Sequence, residues 1–74
     1  MTWTVNALEM TAVGADVPVI ADGDVIATLS PVWSDEDGVR ASLAGYGALD
    51  DLSAAQMRAL ADALRQVADM PGPQ

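Results

Sequence analysis

Leu52-Ser-Ala-Ala-Gln-Met-Arg-Ala-Leu-Ala-Asp-Ala-Leu-Arg-Gln-Val-Ala-Asp-Met70 is the one run in this chain long and periodic enough to specify a helix. Ser53 stands at an N-cap position with Gln56 three residues on, the spacing of a capping box. In that arrangement the Ser53 hydroxyl accepts from the Gln56 N–H and the Gln56 side chain accepts from the Ser53 N–H. The Ala, Leu, Met, Gln and Arg that dominate the run are strong helix formers. Asp50 and Asp51, just upstream, favour the positive end of the helix dipole. Pro71 ends the run because proline cannot continue the hydrogen-bond ladder. The spacing predicts a helix over about 53–69, followed by a tail at 71–74. Met57, Leu60, Ala61, Leu64, Val67 and Ala68 share one stripe of a 3.6-residue period, so this stripe is expected to face the core. Arg58, Asp62, Arg65 and Asp69 alternate in charge along the opposite, solvated side.

Upstream of the helix the period changes to two. Val17-Pro-Val-Ile-Ala and Asp24-Val-Ile-Ala-Thr-Leu flank Asp22-Gly23, a pair suited to the positive φ angles of a type I′ turn. A hairpin follows, with Ala21 opposite Asp24, Ile20 opposite Val25 and Val19 opposite Ile26. Pro18 lacks an N–H and marks an edge or a strand start. The second strand runs through Ser30-Pro-Val-Trp33 with a kink expected at Pro31. Ser34-Asp-Glu-Asp-Gly38 is the next turn and Val39-Arg-Ala-Ser-Leu-Ala-Gly-Tyr46 the returning strand. With a loop of two or four residues, Val32 would share the face of Ala41 and Leu43, and Trp33 that of Arg40 and Ser42. Residues 2–13 begin with Thr, Val and Trp and read as a strand, broken or bulged near Asn6 and Ala7, where the alternation changes phase, with a short helical turn as the alternative.

The expected architecture is a single α+β domain over residues 1–74. An antiparallel meander of three or four strands (about 2–13, 17–21, 24–33 and 39–46) is followed by one C-terminal α-helix packed on one sheet face. The string Leu52-Ser53-x-x-Gln56-x-x-x-Leu60-Ala61-x-Ala63-Leu64 resembles the closing helix of small uncharacterised actinobacterial and actinobacteriophage proteins. The resemblance implies an actinobacterial or phage source and a strands-then-helix order. It carries over no functional residue.

Composition narrows the chemistry. Eleven acidic and three basic residues leave a net charge of −8, which provides no footprint for phosphate backbones, so direct nucleic-acid binding is not expected. The absence of Cys and His removes disulfides, thiolate and imidazole metal ligands and the commonest general base. Asp35-Glu36-Asp37-Gly38 suggests a calcium loop. Matching Asp35, Asp37 and Gly38 to positions 3, 5 and 6 of an EF-hand, however, puts Trp33 at position 1 and Ala44 at position 12, where carboxylates are required. The serines have no His or Lys to activate them, and the carboxylates fall in turns rather than a cleft. Neither a catalytic nor a cofactor or metal site is expected. Met1-Thr-Trp-Thr-Val lacks a basic segment leading into an apolar one, and no stretch reaches the ~18 apolar residues of a membrane span, so the cytoplasm is the expected compartment.

A stapleless core of this size supplies only ~3–5 kcal/mol, and oligomerisation is one remedy. Strands apolar on both sides (Val19 and Ile20, Val25 and Ile26) suggest a partner surface. Large aromatics and Arg concentrate interface energy, so Trp33, Arg40, Tyr46, Val19 and Ile26 are the candidate interface residues, with Trp3 assigned to the core. Trp33 and Arg40, if on one face, would stack as a cation–π pair. The expected role is a non-enzymatic protein-interaction module, a homodimeric accessory protein. The alternative is an acidic decoy inhibiting a basic nucleic-acid-binding or defence protein of the host.

Overall fold

A computed structural model describes residues 3–45 and 49–73 of the chain. Five strands precede one helix: β1 (Trp3–Asn6), β2 (Thr11–Gly14), β3 (Val17–Ala21), β4 (Asp24–Ser34), β5 (Gly38–Gly45) and α1 (Ala54–Ala68). All strand pairs are antiparallel. The eleven-residue β4 is the pivot: β5 lies along one side of it, while β3 and then β2 share the other, with β1 beyond β2. The class is the α+β one expected from the sequence, with helix α1 packed on one face of the sheet.

The fifth strand comes from the segment read as a single strand over 2–13. It folds as a hairpin, Trp3 opposite Gly14 and Asn6 opposite Thr11. The turn starts where the alternation broke. Asn6 Oδ1 accepts the Glu9 N–H at 3.3 Å, a side-chain-to-backbone bond that favours turns over strands. Met10 takes a positive φ of 54°, and its carbonyl accepts the Asp35 N–H at 3.2 Å, tying this turn to the β4–β5 turn.

At the β3–β4 hairpin, Asp22 (φ 52°) and Gly23 (φ 83°) both occupy the left-handed region, as a type I′ turn requires. Ala21 faces Asp24 and Ile20 faces Val25, as expected. Val19, however, pairs with Ala27 rather than Ile26. Ile26 is the extra residue of a β-bulge, and it packs against the core beside Ala27 instead of joining the outer face. That is how two consecutive apolar residues both find cover. β4 runs through Pro31 without a break in the strand. Neither β2 nor β3 pairs with Ser30 or Pro31, so a residue without an N–H falls at the gap between two partners.

The β4–β5 turn has three residues, since Ser34 pairs with Gly38. Ser34 Oγ accepts the Asp37 N–H at 3.1 Å, and Gly38 takes φ 72°, as in a three-residue hairpin closed by a left-handed residue. An odd loop reverses the parity that an even loop would set. Trp33 therefore lies opposite Val39, and Val32 opposite Arg40. The expected sharing of a face between Val32 and Leu43, and between Trp33 and Arg40, is overturned, and no Trp33–Arg40 stack can form across the sheet.

Helix α1 carries the capping box in full, with Gln56 N–H to Ser53 Oγ at 3.1 Å and Ser53 N–H to Gln56 Oε1 at 2.8 Å. It lies chiefly over β3 and less over β4 and β5. The core is Val17, Val19, Ala27 and Leu29 from the sheet against Ala63, Val67 and Met70. The inward stripe is thus Ala59, Leu60, Ala63, Val67 and Met70, rotated about a quarter turn from the one expected. Ala59 and Ala63 let the helix sit close to the sheet, while Met57 and Leu64 are left half exposed on its flank. Beyond the helix the tail folds back over the same face: Pro71 O accepts from Trp3 Nε1 at 2.9 Å.

Candidate interaction surface

Strand edges are normally protected by brevity, proline, charge or cover. Among the described residues, β1, β3 and β5 each pair on one side only. β1 has four residues. β3 carries Pro18 and is bracketed by Asp16, Asp22 and Asp24. β5 differs from both. It has eight residues, Gly38-Val-Arg-Ala-Ser-Leu-Ala-Gly45, with no proline, none of the chain's eleven acids and only Arg40 charged. From Arg40 to Gly45 every residue is exposed.

Because α1 sits toward β3, its flank and β5 enclose an open groove of about 270 Å³. Val39, Ala41 and Leu43 of β5 form one wall, Leu64 and Ala68 of α1 the other, and Leu29 and Val67 the floor, with Arg40 at its border. Leu43 is 46% and Leu64 47% exposed, so both walls are aliphatic and wet. The volume lies below the ~300–1,000 Å³ of enclosed ligand pockets. The shape suits alternate side chains of an added strand, whose backbone would pair with the free N–H and C=O groups of β5.

The five residues expected at an interface have different fates. Val19 is 1% exposed in the core under α1, which takes it out of the candidate interface, while Ile20 on the other side of its strand stays exposed. Ile26 is half buried in the bulge. Trp33 is half buried on the helix-covered face rather than the open one, against the tail at Gly72. Arg40 is exposed on β5, paired loosely with Asp37 at 3.8 Å, and of the four described it alone adjoins the groove. Tyr46 lies outside the described residues. Leu64, expected to face the core, is brought out by the rotation of α1, and Leu43 is left open because α1 sits toward β3.

The rest of the surface carries little else that is concentrated. The sheet face away from α1 presents Thr28, Ser30, Ser42 and Ala44 around its centre, with Val13, Ile20 and Val25 exposed toward the rims. Leu8 stands 98% exposed at the tip of the β1–β2 turn. Among the described residues no group of three or more carboxylates is placed to hold a metal ion, and no helix is long and apolar enough to cross a membrane. Compared with known proteins, the chain matches no family model, no curated protein and no solved structure.

Proposed function

We propose that this protein is a non-enzymatic interaction module that forms a homodimer by antiparallel pairing of β5 with β5 of a second copy. The observation that carries this reading is the edge itself: long, exposed, free of proline and acids, and bordered by an apolar groove. Two copies at −8 each repel at long range, and β5 is where close approach costs least. A two-fold axis normal to the sheet keeps helix-side residues opposite helix-side residues. Centring it on Arg40 would oppose two guanidiniums, an unfavourable cross-strand pair. Centring it on Ala41 instead sets Val39 opposite Leu43 and Arg40 opposite Ser42 of the second copy. Leu43 and Leu64 of both copies then line one continuous trough. Sedimentation velocity at micromolar concentration should give a dimer; a folded, thermally stable monomer across that range would overturn the proposal.

A second reading, an acidic decoy for a basic protein, is supported by the charge of −8 and by Asp35, Glu36 and Asp37 exposed beside the start of β5. Its binding would weaken steeply with salt. A pull-down of a basic host protein with the same yield at low and high salt would count against it.

A further inference from the structure

At the other end of the helix-covered face, two indoles stand on either side of β2. Trp3 of β1 is opposite Gly14, and Trp33 of β4 is opposite Ala12. Strands spaced ~4.8 Å apart put the two strands that carry them roughly 10 Å apart, with β2 between. Beneath them β2 carries small residues: Ala12 and Gly14 are both buried, and the Trp3 ring lies over Gly14, where a Cβ would come within 3.2 Å of Cζ3. The tail crosses this channel. Trp3 Nε1 donates to Pro71 O at 2.9 Å. At Gly72, a Cβ would lie 2.8 Å from Trp33 Nε1 and 3.3 Å from its Cδ1, so Trp33 admits only a glycine there. Pro73 follows, half buried. Aromatic side chains, an indole N–H on a backbone carbonyl and a proline-bearing segment are the parts of proline-rich peptide recognition.

We propose that the Trp3–Trp33 channel is a binding site for Pro-Gly-Pro segments of another protein, and that the chain's own tail occupies it as a resident competitor. The three positions have separate jobs. Pro71 presents the carbonyl read by Trp3, Gly72 passes under Trp33, and Pro73 keeps the segment extended. This site is separate from the β5 groove, and it stands or falls without the dimer.

The test uses the full chain and its Gly72→Ala variant, titrated with the peptide Asp-Met-Pro-Gly-Pro-Gln and followed by tryptophan emission. In the variant the added methyl displaces the tail, so the channel opens and the peptide should bind saturably. The unaltered chain should bind at least about tenfold more weakly, because its tail competes at an effective concentration on the order of millimolar. The peptide with alanine in place of glycine should not bind the variant, and Trp33→Ala added to Gly72→Ala should remove binding. Far-ultraviolet circular dichroism of both variants shows whether the fold persists; should either unfold, the methyl resonances of Ala12 in the unaltered chain, shifted by the glycine peptide and not the alanine one, replace it as readout. Absence of binding to the folded variant, or equal binding of the two peptides, overturns the proposal. A wild-type dimer that Gly72→Ala abolishes would instead assign the channel to the tail of a second copy.

Discussion

Ser53 and Gln56 each satisfy a backbone N–H that the first turn of α1 would otherwise leave to solvent. Ser53→Ala should therefore destabilise the protein by about 1 kcal/mol, read as a lower urea midpoint at unchanged slope. Gly23 is a purer backbone case: at φ 83° nothing lies within 4 Å of an added Cβ, so Gly23→Ala reports left-handed strain alone, about 1–2 kcal/mol. Leu29, among the largest fully buried side chains, is the opposite case, since its loss leaves a cavity costing ~2–5 kcal/mol. Against a total of ~3–5 kcal/mol for a core this small, Leu29→Ala should keep little stability and show a substantial unfolded fraction at 25 °C by circular dichroism. The cap and the Asp-Gly turn were readable because each depends on bonds or φ angles within a few residues. The position of Trp33 was not, because it depends on whether three or four residues close the turn after Ser34.

At the scale of the element, β5 and α1 show what short-range periodicity leaves open. The alternation of Val39, Ala41 and Leu43 against Arg40 and Ser42 identifies a strand, yet it does not say which face α1 will cover, or how far across. The apolar residues of α1 span more than one face: Met57 and Leu64 compete with Ala59 and Ala63 for the core, and the alanines win because close approach to Val17 and Val19 seals the interior better. The displaced leucine then becomes a wall of the groove. Leu43→Lys tests that assignment, since it leaves the core untouched and places a strongly hydrated charge on the edge. With two leucines lost per dimer at ~1.5 kcal/mol each, the dissociation constant should rise about 100-fold, with the monomer's melting temperature little changed.

As a whole the molecule is elongated, 42 × 19 × 19 Å, with a radius of gyration of 13.5 Å against about 11 Å for a compact chain of this length. That shape follows from an eleven-residue central strand that one fifteen-residue helix cannot cover from end to end. It leaves one end to the tail and one side to the groove. Charge makes the two functional readings separable. Between 0.01 M and 0.15 M salt the screening length falls from ~30 Å to ~8 Å, so a homodimer of like-charged chains should tighten with salt, whereas a complex with a basic partner should loosen; sedimentation across that range decides between them. The sequence by itself determined the capped helix, the Asp-Gly hairpin, the α+β class and the lack of imidazole and thiolate chemistry, because each is set by bonding between near neighbours or by composition. Only the tertiary structure decided the first hairpin, the face on which Trp33 lies, the inward side of α1, the burial of Val19 and the exposure of β5. These rest on loop parity and on competition between side chains far apart in the chain for one small interior, which no local pattern records.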